Sequence, residues 1–155
     1  MKKTLAKAIF ACVLLAGMVH GASPNATVQQ QIKPLLDELM RAANAHDTDR
    51  FLAAYLHRPS LVFVFNGRVI TGWENLRDQQ LKWWNNGKSD ATYSQDGASE
   101  FTVLSPNVVV VTNPLASRRT LPGGEVKTSE FVVTMVWQKF PEGWRIVYGH
   151  ESTVH

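Results

Sequence analysis

The chain has few of the residues on which several common chemistries depend. Its one cysteine, Cys12, lies in an N-terminal apolar run, so a chain that loses this run has neither a disulfide nor a thiol. Beyond that run, Arg118 and Arg119 are the only adjacent basic pair, which is too little positive charge to indicate nucleic-acid binding. The sequence also lacks a phosphate-binding glycine loop and a Gly-x-Ser-x-Gly nucleophile motif.

The N-terminus has the pattern of a secretory signal peptide. Basic residues within 1–7 precede an apolar run at 8–19, which has the length of a signal-peptide core and is too short to span a bilayer. We predict that residues 1–22 are cleaved and that 23–155 form one periplasmic or secreted domain without membrane contact. A retained N-terminal anchor is the alternative. Cleavage removes three lysines and leaves equal numbers of basic and acidic side chains.

The first half of the domain reads as helices around one hairpin. Apolar residues at steps of three and four predict a helix over 24–46, either kinked at Pro34 or regular only from Lys33. Asp47 begins a second helix, which Pro59 ends. Strands at 61–65 and 68–71 flank an Asn-Gly turn, and a third helix follows from Gly72 to about Asn86.

Four long strands are predicted in the second half. They cover 91–104, 108–120, 126–140 and 144–153, with a bulge expected at Gly97 and an edge or bulge at Pro114. Helices followed by a strand meander indicate an α+β fold in which helices cover one face of a curved sheet.

The last strand is the most informative segment for function. Trp144, Ile146, Tyr148, His150 and Ser152 alternate with other residues and are therefore expected to share one face. This face changes from apolar to hydrogen-bonding along the strand, as the wall of a ligand pocket does.

Three stretches resemble the SnoaL-like, ketosteroid-isomerase-like branch of the nuclear-transport-factor-2-like superfamily. They are 45–55 with the strand ending Phe65-Asn66-Gly67, the strand-to-helix entry at 69–74, and Trp137 with Gly-Trp-Arg-Ile at 143–146 and His-Glu-Ser at 150–152. The resemblance implies a conical, curved antiparallel sheet covered by three N-terminal helices, a cystatin-like roll. It also implies an apolar pocket and a homodimer packed through the sheets. The superfamily contains both enzymes and non-catalytic scaffolds, so the fold alone does not choose a function.

Candidate site residues follow from the pocket wall and the resemblance. His150 is the candidate base or ligand donor, with a structural histidine bonded to Ser152 as the alternative. Tyr55 and Tyr148 offer phenols, and Tyr55 is the second candidate catalytic group. Glu130 is the candidate buried acid, unless it lies at an exposed strand end or pairs with Arg118. The aromatic candidates for contact with a ligand are Trp84, Trp83, Phe63, Phe65 and Trp73.

These observations lead to one preferred function and two alternatives. We expect a protein that binds a small, largely apolar molecule, without a cofactor and without a metal, because the histidines lack ligand spacing. The first alternative is an isomerase, cyclase or dehydratase with His150 as base. The second is a non-catalytic dimeric scaffold.

Overall fold

A computed structural model describes residues 24–153, so the predicted signal peptide lies outside the described residues. The elements within this range are α1 (Pro24–Asn44), α2 (Thr48–Leu52), β1 (Val62–Phe65), β2 (Arg68–Thr71), α3 (Trp73–Trp83), β3 (Thr92–Gln95), β4 (Glu100–Ser105), β5 (Val108–Thr120), β6 (Val126–Phe140) and β7 (Gly143–Thr153). This order confirms the α+β class.

The helices begin and end largely where local signals predict. α1 runs through Pro34 and buries Val28, Ile32 and Leu39 along one side. The side chain of Asp47 accepts a hydrogen bond from the Arg50 N–H at 3.0 Å, which confirms the expected cap of α2. None of the helices in the described range is both long and apolar enough to cross a membrane.

The sheet is open, curved and mixed, with the strand order β2-β1-β7-β6-β5-β3 and β4 also paired with β5. The sheet is antiparallel, as expected, except at one position, where β1 runs parallel to β7. Turn signals predict only pairings between sequence neighbours, such as the β1–β2 hairpin at Asn66 and Gly67. The β1–β7 pair joins distant parts of the chain and has no local signal.

The expected irregularities at Gly97 and Pro114 are linked in space. The predicted strand over 91–104 divides at Gly97 into β3 and β4, and both pair with β5. Pro114 lies where the partner of β5 changes, and its carbonyl accepts the Asp96 N–H at 3.0 Å. A proline is tolerated here because the ladder needs no donor at this position.

A β-bulge in β7 overturns the expectation that its even-numbered residues share one face. Ile146 pairs with Trp137, but Tyr148 pairs with the next residue along β6, Val136, so Val147 is an extra residue. A one-residue shift moves every later side chain to the opposite face. Trp144 and Ile146 are therefore buried, whereas Tyr148, His150 and Ser152 are exposed.

The outer sheet face, on the side away from the helices, carries more apolar groups than a solvated sheet requires. Val69 is 67% exposed and Leu104 is 62% exposed. Their neighbours on this face include Val64, Val110, Val132, Val136 and Tyr148. A homodimer packed through this face stays a prediction.

Gly149 lies where β7 passes close to an aromatic ring, that of Phe63. It pairs with Phe63, and a Cβ at this glycine would lie 2.6 Å from Cδ2 of that ring. Only a residue without a side chain therefore lets Phe63 lie against β7.

Gly149→Ala should lower the free energy of unfolding by about 1–3 kcal/mol, because Phe63 must move out of its packed position. Urea denaturation measures this change. Gly123→Ala is the matched control, since nothing lies within 4 Å of a Cβ there, and it should leave stability unchanged or slightly higher. Equal stabilities of the two variants would contradict this account of Gly149.

Candidate functional site

A cavity of about 320 Å³ lies between the inner face of the sheet and the helices. This volume is at the lower end of the range in which small-molecule sites fall. Aromatic side chains form much of its wall: Phe51, Tyr55, Phe63, Phe65, Trp83, Trp84, Tyr93 and Phe131.

One side of the aromatic wall is held by hydrogen bonds and ring contacts. Trp84 Nε1–H donates to the Tyr93 hydroxyl at 2.9 Å, and the Phe51 ring meets the Trp84 ring edge-on with centroids 5.1 Å apart. His46 packs against Trp84 from the α1–α2 corner, while its Nε2 donates to the Ala91 carbonyl at 2.7 Å. These contacts fix the rings, so the cavity is largely formed without a ligand.

Glu151 is the acidic group of the cavity. The bulge at Val147 turns it inward, and strand register places it in one cross-strand row with Asn113, Val133 and Phe65. Burial raises the pKa of the Glu151 carboxyl to about 7. A carboxyl that gains and loses its proton near neutral pH can act as a general acid or base.

Two phenols share the surroundings of this carboxyl. Burial raises the pKa of the Tyr55 hydroxyl, and the nearby Glu151 charge raises it further. Burial also raises the pKa of the Tyr93 hydroxyl, with a smaller contribution from Glu151. Both phenols therefore remain protonated at neutral pH and can donate hydrogen bonds.

One end of the cavity is more polar than the rest. Ser117, Arg119, Ser129 and Thr153 line it near the last residues of β5 and β7 and the first residues of β6. An apolar interior with a polar rim fits a molecule that is mostly hydrocarbon with one or two polar groups.

The residues singled out from the sequence fall into two groups. Tyr55, Phe63, Phe65 and Trp84 line the cavity. His150, Tyr148 and Glu130 do not line it and are exposed.

Trp73 packs elsewhere, at the start of α3. Its Nε1–H donates to the Leu52 carbonyl at 3.2 Å, and its ring lies 4.0 Å from the His57 ring, measured between centroids. These contacts give Trp73 a packing role at the helix junction, outside the cavity.

Sequence reasoning missed Glu151, Asn113 and Tyr93 as cavity residues. Glu151 stood next to the favoured histidine, but strict alternation assigned it to the opposite face. No residue type at Val147 marks a bulge, so only the pairing with β6 reveals it. In the described range, no group of three or more His, Cys, Asp or Glu side chains is placed to hold a metal ion.

The sequence profile of the SnoaL-like domain matches residues 32–155. No curated protein matches the chain significantly.

Solved structures resemble the chain in fold at low sequence identity. A nuclear transport factor 2-like superfamily protein from Salmonella enterica serovar Typhimurium superimposes with a TM-score of 0.72 at 21% identity, covering 83% of this chain and 92% of that one. The association domain of Caenorhabditis elegans CaMKII gives 0.69 at 19% identity, covering 83% and 98%. A ketosteroid isomerase-like protein from Erwinia carotovora gives 0.65 at 18% identity, covering 81% and 95%. These likenesses show the nuclear-transport-factor-2-like, cystatin-like fold.

The raised pKa of Glu151 predicts a pH-dependent stability. The folded state keeps a proton that the unfolded state releases between about pH 4.5 and pH 7, so stability should fall as pH rises through this window. Glu151→Gln should remove this pH-dependent fall in stability. Above about pH 7 its free energy of unfolding should exceed that of the wild type by at most about 3 kcal/mol. Urea denaturation at several pH values measures both effects.

Glu130→Gln is the control for this experiment, because Glu130 is an exposed carboxyl on the neighbouring strand. It should follow the wild-type pH profile. If the stability of Glu151→Gln changes with pH as that of the wild type does, the Glu151 carboxyl does not titrate in the cavity as described.

Proposed function

The chain belongs to the SnoaL-like family, and we propose that it is an exported protein that binds a small, largely apolar molecule in the cavity beneath its helices. The observation that carries the proposal is the aromatic cavity of about 320 Å³ with one half-buried carboxyl, that of Glu151. Export is proposed from residues 1–22 alone, and the intact mass of the chain recovered from outside the cytoplasm tests it.

The wall of the cavity supports an apolar ligand on energetic grounds. Burying hydrocarbon surface contributes about 25 cal/mol per Å², and aromatic rings are prominent among the side chains that a ligand can cover here. Trp83 and Phe65, whose ring centroids lie 4.7 Å apart, both line the cavity. A flat or compact hydrocarbon skeleton therefore fits better than a charged or extended one.

Filling the cavity should abolish binding of tetralin, a compact apolar probe. At about ten times its Kd, tetralin should stabilise the wild type by about 1.4 kcal/mol, a rise in Tm of roughly 5 °C. Val133→Phe places a larger side chain in the row between Asn113 and Glu151 and should remove this rise. Thermal unfolding followed by circular dichroism measures it.

Val132→Phe is the matched control, since the same exchange one residue earlier points to the outer sheet face. It should retain the full response to tetralin. A wild type that gains no stability from tetralin or similar hydrocarbons contradicts the proposed function.

A second candidate function is proton transfer of the isomerase type. Glu151 favours it, because its carboxyl is inside the cavity and titrates near neutral pH, with the Tyr55 hydroxyl as a nearby donor. In this proposal Glu151 takes the role of base that the sequence suggested for His150.

Deuterium exchange into α-tetralone, next to its carbonyl, tests this second function. The wild type should accelerate the exchange observed by NMR, and Glu151→Gln should reduce the acceleration by about 100-fold or more. His150→Ala should leave the rate unchanged, because His150 is exposed and does not line the cavity. Exchange no faster than in buffer would leave binding alone as the function.

We also propose a homodimer through the outer sheet face, supported by its exposed Val69 and Leu104 and by the likeness to an association domain. Sedimentation of a strict monomer at micromolar concentration would contradict it.

A further inference from the structure

Asn113 is a buried polar residue whose side chain lines the cavity from the middle of β5. Only 6% of its surface is exposed. Its Oδ1 accepts two hydrogen bonds, one from Gln95 Nε2 at 2.7 Å and one from the Ser99 hydroxyl at 2.7 Å. The bend at Gly97 brings both donors to the same atom.

The backbone determines which way this amide points. Gln95 Nε2 also lies 2.7 Å from the Gly97 carbonyl and 3.1 Å from the Pro114 carbonyl. Carbonyl oxygens only accept, so the Gln95 atom between them must be the nitrogen. The Asn113 atom that faces this nitrogen must then be the oxygen, and Asn113 Nδ2 is directed away from the Gln95–Ser99 pair.

The Nδ2 group has two N–H donors that the protein leaves unused. Among the residues that the structure describes, none accepts a hydrogen bond from it. This nitrogen is not one of the buried side-chain atoms that lack a partner, so it is accessible from the cavity that Asn113 lines. Water can accept from it in the free protein, and an acceptor on a bound molecule can take the place of that water.

Glu151 restricts where that acceptor can be. It lies in the same cross-strand row as Asn113, on the other side of Val133. Two strand spacings separate the two backbones by about 10 Å. Above about pH 7, where the Glu151 carboxyl is ionised, an acceptor group on the ligand is attracted by the amide and repelled by the carboxylate, so it lies at the Asn113 end of the row.

We propose that Asn113 is a fixed hydrogen-bond donor that selects, among small apolar molecules, those that carry an uncharged acceptor such as a ketone or ester carbonyl. Gln95 and Ser99 are positioning residues, since they hold the amide in its donating orientation. The proposal deepens the binding function proposed above and rests on it.

Two probes with one carbon skeleton test the selection. α-Tetralone has a carbonyl and tetralin has none, so the ratio of their Kd values measures how much the acceptor group contributes to affinity. In proton–nitrogen correlation spectra of the wild type, the side-chain amide signals of Asn113 should move on titration with the ketone and not with the hydrocarbon. This readout needs no substitution at the site.

Asn113→Asp keeps an oxygen for Gln95 and Ser99 and replaces the donor with a second oxygen. We expect the introduced carboxyl to be ionised above about pH 8. At that pH, the preference of this variant for the ketone over the hydrocarbon should be roughly 5- to 10-fold lower than that of the wild type. Gln95→Leu frees the Asn113 amide to rotate and should lower the preference by roughly 2- to 3-fold. Gln30→Leu, the same exchange at an exposed position of α1, should leave the preference unchanged.

Failure of selection by Asn113 and failure of binding in the cavity give different results. If both probes bind while the Asn113 signals stay in place for the ketone, or the Asp variant keeps the wild-type preference, the cavity binds apolar molecules but Asn113 does not select them. If neither probe binds the folded wild type, the binding function fails and the selection fails with it. A shifted amide signal together with the lost preference supports the assignment.

Discussion

The extra residue in β7, Val147, determines the chemistry of the cavity. Before it, Trp144 and Ile146 face the core; after it, Gly149 and Glu151 do. The bulge coincides with a change of neighbour, because Ile146 exchanges backbone hydrogen bonds with residues 54–56 at 2.9 Å, whereas β1 pairs with β7 from Tyr148 onward. As a result a carboxyl, instead of an imidazole, is turned into an aromatic cavity.

This placement links ligand binding to protonation. Burial alone raises the pKa of Glu151, so a hydrocarbon that displaces further water from the cavity favours the neutral carboxyl. A ligand that donates a hydrogen bond to the carboxylate has the opposite effect. Proton uptake or release on binding therefore reports which polar groups of the ligand meet Glu151, and by reciprocity pH sets the affinity.

Local features of the sequence predicted much of the fold, and long-range pairing accounts for the rest. The Asp47 cap and the Asn66–Gly67 hairpin are encoded within a few residues, so they follow from residue type and spacing. Residue type also indicated that Trp84 and Phe63 line the cavity, and they do. Their contact with a ligand stays a prediction. The parallel β1–β7 pair and the bulge at Val147 depend on which strands meet, and a single-residue register shift moved His150 to the outer face.

The second irregularity, at Pro114, positions the other polar group. Proline ends the pairing of β5 with β4, and the bend at Gly97 then brings Gln95 and Ser99 onto the Asn113 oxygen. The general fold thus provides an apolar cavity, while two local departures from regular strand pairing place a carboxyl and an amide on either side of Val133 in one row. Relatives near 20% identity share the sheet that forms such a cavity, but a bulge or proline shifted by one residue would present different groups to it. The polar groups of each chain, rather than the shared fold, therefore determine what it binds.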